Sequence, residues 1–201
     1  MKKLFILLIT FFVAGCSVVS PVKLAPESTY TITRWPVKQN NKVYQATQNT
    51  LLVTAPMAAP GYASSQMVYV MVPYQLKSYA NHRWVAPPAS LLLPLIAERI
   101  RQTNYFKAVV TAPFSGTADY QLNLQLLTLQ QEFLQPVSQV RLRMSATLMR
   151  MNNGEVISNR IVEAVIPASR NNSYSGVLAT NQAAEIVSDQ IEQFVIHALK
   201  K

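Results

Sequence analysis

Between Asp119 and Ile166 the chain alternates apolar and polar residues through three successive segments, a period that only a sheet with one buried face satisfies. Tyr120, Leu122, Leu124 and Leu126 alternate with Gln121, Asn123 and Gln125. After a break at Pro136, Val140, Leu142, Met144, Ala146 and Leu148 alternate with Arg141, Arg143, Ser145 and Thr147. Asn153-Gly154 then offers a dipeptide that tolerates positive φ, the strongest short hairpin signal, and residues 155–166 return as a third strand. Its apolar set changes phase between Ile161 and Val162, which predicts a β-bulge there. An antiparallel meander of three strands is the expected frame.

The segments before it are shorter. Residues 28–34 (STYTITR) alternate as a first strand, residues 36–50 read as a polar loop, and residues 51–55 (LLVTA) read as a buried strand stopped by Pro56. Residues 66–72 and 74–79 predict two strands interrupted at Pro73. Pro87 and Pro88 introduce a helix over residues 88–103, with Leu92, Ile96 and Ile100 on one stripe. Pro94 lies inside that pattern, so either the first turn is distorted or the regular helix starts near it. A closing helix is read from Ala184, Val187, Ile191, Val195 and Ala198, with Lys200 and Lys201 where the helix dipole favours cations. The expected architecture is α+β: one domain over residues 28–201, a layer sandwich with a mainly antiparallel sheet, a C-terminal three-strand meander and two main helices on one face.

The N-terminus has the parts of a secretory signal: Lys2 and Lys3, an apolar run over residues 4–13, then Val13-Ala14-Gly15-Cys16. Ten mostly apolar residues are too few for a helix crossing roughly 30 Å of hydrocarbon. Val-Ala-Gly-Cys matches the lipobox of bacterial lipoproteins. This implies cleavage of residues 1–15, a diacylglyceryl group on the Cys16 thiol and acylation of the new amino group. Several chains at about 0.8 kcal/mol per buried CH₂ make a stable anchor. Residues 16–27, with Pro21 and Pro26, then read as a lipidated tether. Ser17 stands where an aspartate would retain a lipoprotein at the inner membrane, which points to the outer membrane of a Gram-negative bacterium, lipid-anchored on the periplasmic side. Cys16 is the only cysteine, so no disulfide forms within the chain and stability rests on packing.

Setting aside Lys2 and Lys3 leaves 16 basic against 9 acidic side chains, a net +7. The basic residues form no run. In an exported chain such a balance favours anionic lipid headgroups or an acidic protein over nucleic acid. Chemistry is poorly supported. The five glycines are far apart, which excludes a phosphate loop or a dinucleotide turn, and GxSxG and HExxH are both absent. His82 and His197 are the only histidines and neither neighbours a carboxylate cluster, so no metal site, no cofactor and no enzymatic activity are expected.

One region carries a family likeness. Pro60-Gly61-Tyr62 and Gln66-Met67-Val68-Tyr69 are followed by residues 78–88 (SYANHRWVAPP), the Leu-rich helix and Asn104-Tyr105-Phe106-Lys107-Ala108-Val109. With the lipobox ahead and the meander and helix behind, the chain resembles the ABC-type transport auxiliary lipoprotein family, the PqiC-like lipoproteins. Val85 and Pro94 depart from the family pattern. The resemblance implies a non-enzymatic accessory subunit that accompanies MCE (MlaD-type) ABC systems moving lipid between the two membranes. Its partners would be an MCE-domain protein and the outer-membrane bilayer, and a ring-like homo-oligomer would suit a tubular partner. Lipidated Cys16 is its one modification site.

Candidate partner-binding residues are Arg83, Trp84, Tyr62, Tyr69 and Tyr79. Arg and Trp are common interaction anchors, and the tyrosines, Tyr74 among them, would line an amphipathic surface for a partner or lipid. The plainer alternatives are Trp84 as core under the helix and the tyrosines as the half-buried face of a sheet. Two other functions fit a lipobox before a small α+β sandwich: an LptE-like assembly lipoprotein partnering a β-barrel, or a structural lipoprotein linking envelope layers.

Overall fold

The computed structural model describes residues 26–33 and 44–200. The signal, Cys16, most of the tether, Arg34, residues 36–43 of the polar loop and Lys201 lie outside the described residues. In chain order the elements are β1 (Ser28–Tyr30), β2 (Thr50–Val53), β3 (Met57–Ala58), a 3-10 turn (Pro60–Tyr62), β4 (Gln66–Val70), β5 (Leu76–Trp84) and α1 (Pro88–Arg101). Then come β6 (Ala108–Thr111), β7 (Tyr120–Glu132), β8 (Gln139–Arg150), β9 (Val156–Pro167) and α2 (Ser173–Leu199).

β7 organises the nine-stranded sheet. Along one edge it pairs antiparallel with β8, and β8 with β9, which is the meander read from the alternation. Along its other edge it receives β2, β3 and β4 in succession, all parallel. β6 extends the sheet beside β2, and β5 then β1 extend it beside β4. The sheet is therefore mixed. Its longest ladders are antiparallel as expected, but parallel neighbours require crossover connections, and those that link β2, β3 and β4 to β7 run through the segment that carries α1 and β6.

Alternation makes one face of the meander apolar. Leu122, Leu124, Leu126, Leu142, Met144, Ala146 and Leu148 are buried there against Ile96 and Ile100 of α1 and Val187, Ile191 and Val195 of α2. Each of the leucine, isoleucine, valine and methionine side chains contributes roughly 1.5–3 kcal/mol. The two helices pack on this face and on each other. Pro94 leaves α1 unbroken from Pro88 to Arg101. It sits on the solvent side, as does Ser90 one turn earlier, so the Ser90 carbonyl that loses its N–H partner is left to water. α2 begins at Asn172, whose side chain accepts from the Ser175 N–H at 2.8 Å.

The β-bulges differ from the sequence reading. Gly154 takes φ +70° in the β8–β9 turn, as the Asn-Gly signal requires. The pairing of β9 is unbroken at Ile161 and Val162, however, where they oppose Ser145 and Met144. Ile161 and Val165 are exposed on the outer face, so the apparent change of phase comes from apolar residues facing solvent rather than from an extra residue. The interruptions lie in β7 between Leu126 and Thr128 and opposite Leu148/Met149, where Ile157 is the unpaired residue.

Candidate partner surface and interhelical cleft

A string of rings crosses the sheet at β7, β4, β5 and β1. Tyr69 lies 6.0 Å from Phe133 and 4.7 Å from Tyr79 between ring centroids. Tyr79 and Tyr30 each lie 5.9 Å from His82, and Tyr30 reaches Tyr174 of α2 at 6.2 Å. The geometry depends on an irregularity of β5. Gln66 opposes Arg83 and Val68 opposes Ser78, so β5 carries extra residues between those pairs. That interruption lets Tyr79, His82 and Trp84 turn toward the helix-covered face although their spacing is not a strand period. Strict alternation does not group these three, and Tyr30, Phe133 and Tyr174 join them only through contacts between elements distant in the chain.

The band is anchored from below. Tyr79 donates its hydroxyl to Gln131 Oε1 at 2.9 Å, while Gln131 Nε2 donates to Ser138 Oγ at 2.9 Å and to the Asn172 carbonyl at 3.2 Å. Burial, with Tyr69 beside it, pushes the Tyr79 phenol up to about 12. Tyr174 is exposed and the other rings of the string are half-buried.

The sequence candidates separate in space. Tyr69 and Tyr79 stand together. Tyr62 is on the other face, where its hydroxyl donates to Gln130 Oε1 at 2.6 Å, and burial raises its phenol. Arg83 is half-exposed and ion-paired with Glu27 at the start of β1. Trp84 is 4 % exposed, so it belongs to the core and offers no surface to a partner. Tyr74 projects from the β4–β5 turn, 105 % exposed, and is not one of the rings of this band.

A cleft of about 240 Å³ lies between α1 and α2, lined among others by Leu95, Arg99, Asn181, Glu185 and Asp189. Arg99 is nearly buried and its Nε lies 2.5 Å from Asp189 Oδ1 and 3.9 Å from Glu192 Oε2. Glu192 is fully buried and its Oε1 accepts from the Tyr44 hydroxyl at 3.0 Å. Burial and that hydrogen bond push the Tyr44 phenol up to about 12. One guanidinium thus faces two carboxylates in a largely buried ion network that joins the two helices. Among the described residues no three His, Cys, Asp or Glu side chains cluster as metal ligands, and no helix is long and apolar enough to cross a membrane.

The model of the family described as "ABC-type transport auxiliary lipoprotein component" matches residues 30–192. Protein XCC0632 from Xanthomonas campestris has a similar solved structure, with TM-score 0.78 and 19 % identity over 86 % of this chain and 97 % of that one. A second, an uncharacterized protein, gives TM-score 0.66 and 14 % identity over 85 % of this chain and 99 % of that one. No curated protein matches the sequence. The two structures support the fold.

Proposed function

Because the chain belongs to the ABC-type transport auxiliary lipoprotein family, we propose that it is the accessory subunit of an MCE-type ABC lipid transport system. It is held at the periplasmic face of the outer membrane by lipid on Cys16 and docks the transporter's periplasmic part. The family match over 30–192 carries this reading. The half-exposed band of Tyr30, Tyr69, Tyr79 and Tyr174, with Arg83 nearby, supplies the docking surface. Aromatic rings bring large contact area at low entropic cost, and a guanidinium adds direction. The subunit acts by position and carries out no chemistry itself. The buried pairing of Arg99 with Asp189 and Glu192 is consistent with that role.

The test is co-purification from detergent-solubilised envelopes. The lipidated protein should bring down an MCE-domain protein, and Tyr174→Ser combined with Arg83→Glu should weaken the capture. Repeated failure to recover an MCE protein, under conditions that keep a known MCE complex intact, would overturn the reading.

A further inference from the structure

β4 and β7 run parallel and finish together. Tyr69 is registered with Gln131 and Val70 with Glu132, and Phe133 donates its N–H to the Val70 carbonyl at 2.8 Å. The turn after β4, residues 71–75, therefore stands beside the turn after β7, residues 133–138. What these turns present to solvent is apolar: Met71 is 57 % exposed, Val72 54 %, Leu134 44 % and Val137 54 %. Five residues of the first turn and its neighbour thus place a paired apolar tip at one end of the molecule, with Tyr74 at its apex.

Tyr74 is the second observation. Gln75 donates to the Val72 carbonyl at 3.1 Å, with Pro73 second in the turn and Tyr74 third at φ +67°. This is the pattern of a type II turn, whose third position favours glycine. A tyrosine there is strained, and at 105 % exposure its ring makes no contact within the protein to offset the strain. A ring kept in that conformation and held in solvent points to a contact outside the chain.

Charge and chain direction identify the occupant. Lys77 and Arg170 are exposed around the tip, and the Asn171 side chain ties the loop carrying Arg170 to the second turn through the Pro136 carbonyl at 3.1 Å. Glu132 and Glu163, the carboxylates nearest that end, are both paired with Arg141, at 2.8 and 2.5 Å. β1 runs parallel to β5 with Ser28 opposite His82, so the chain enters β1 from the side of this hairpin. The stretch between Cys16 and Ser28 can extend roughly 35–40 Å, and from His82 back to Leu76 β5 measures only about 20 Å. The opposite end, with Met151 in the β8–β9 turn, lies beside Asp119 and Glu155 instead.

We propose that this paired tip rests on the bilayer that holds the acyl chains of Cys16. The apolar side chains enter the headgroup boundary, Tyr74 sits as an interfacial ring and Lys77 and Arg170 face anionic headgroups. The inference rests on the lipidated Cys16 of the proposed function and goes beyond it by orienting the subunit on the membrane.

The test uses the full lipidated chain. Its single cysteine is blocked by lipid, so one introduced cysteine takes an environment-sensitive fluorophore uniquely. Tyr74→Cys, Val137→Cys and, at the opposite end, Met151→Cys are labelled and reconstituted into vesicles of phosphatidylethanolamine and phosphatidylglycerol containing a doxyl-lipid quencher. Labels at 74 and 137 should be blue-shifted and quenched several-fold more than the label at 151. Protein that floats with the vesicles while all three labels remain equally wet overturns the tip contact and leaves the anchor standing. Protein that fails to float overturns both. Shielding at 74 and 137 that needs a second protein, or that grows with protein concentration in the absence of vesicles, overturns the lipid surface in favour of a protein partner or a second copy.

Discussion

Gly176 lies in the first turn of α2 against the buried amide of Gln131, and replacing it with alanine tests how tightly the helix is seated on the sheet. A Cβ at this position would stand 2.2 Å from Gln131 Oε1 and 2.8 Å from its Cδ. Gln131 cannot retreat cheaply. It is 4 % exposed and bonded to Tyr79, Ser138 and the Asn172 carbonyl. Alanine gains about 1 kcal/mol of helix propensity over glycine. Against this stand an overpacking cost of about 1–3 kcal/mol and the loss or distortion of hydrogen bonds that contribute about 1 kcal/mol each. The balance is a net destabilisation of about 2 kcal/mol, which for a chain of this length lowers Tm by about 4–8 °C. Thermal unfolding followed by circular dichroism measures it. In the double variant Gly176→Ala, Gln131→Ala the clash is gone, so adding Gly176→Ala to Gln131→Ala should cost nothing or stabilise slightly. A Gly176→Ala protein as stable as the parent, or one whose loss persists in the double variant, would refute the reasoning.

Tyr44→Phe removes the donor to buried Glu192 and should cost about 1–3 kcal/mol in urea unfolding, and it deletes a phenol that burial and the Glu192 hydrogen bond push up to about 12. Burial pushes the Glu132 carboxyl up, but hydrogen bonds from Arg141, Gln139 and Gln130 outweigh it and hold the group below its ordinary value. Its contribution is therefore complete above the unfolded carboxyl value and is lost as pH falls through the folded one. Tm measured from pH 7 down to 3 should drop at the acid end, and Glu132→Gln should make that drop shallower. Tyr74→Gly should leave the protein slightly more stable, by up to about 1 kcal/mol, since it relieves a left-handed conformation at the cost of glycine's extra chain entropy. The same variant should reduce the tip's contact with vesicles. Cys16→Ser should keep the soluble fold and lose membrane association; a variant still in the outer-membrane fraction after a high-salt wash would show that the lipid is not the main anchor.

What was legible in the sequence was local. The meander could be read because each of its strands buries one face, so the period is written in consecutive residues, and Gly154 marks the turn. Both main helices were visible from their apolar stripes, although α2 extends back to Ser173 through Ser-, Ala- and Thr-rich turns that carry little periodic signal. The parallel pairing of β2, β3 and β4 with β7 was not legible, because it joins residues more than fifty positions apart and leaves no local mark. Of the candidate partner-binding residues, Tyr69 and Tyr79 are neighbours in space. Tyr62 lies on the opposite face, and Trp84 takes the plainer of its two readings, as core. The β5 irregularity hid His82 and the link to Tyr30.

The pairing that a lipid anchor would load is weak, and α2 is what makes it serviceable. β1 has three residues and lies at the edge of the sheet, where a pull from the N-terminus would peel it from β5. The chain is fastened further along as well. Val85 donates to the Tyr30 carbonyl at 2.7 Å, and Asn181 of α2 accepts from the Thr33 N–H at 2.7 Å and donates to the Thr31 carbonyl at 3.3 Å. Glu192, three turns on, receives the Tyr44 hydroxyl and faces Arg99 of α1. Force entering at Glu27 is thus passed to the middle of a 27-residue helix whose buried face is the core of the protein. In a chain with a single cysteine and no disulfide of its own, that arrangement would let an edge strand bear the connection to a membrane.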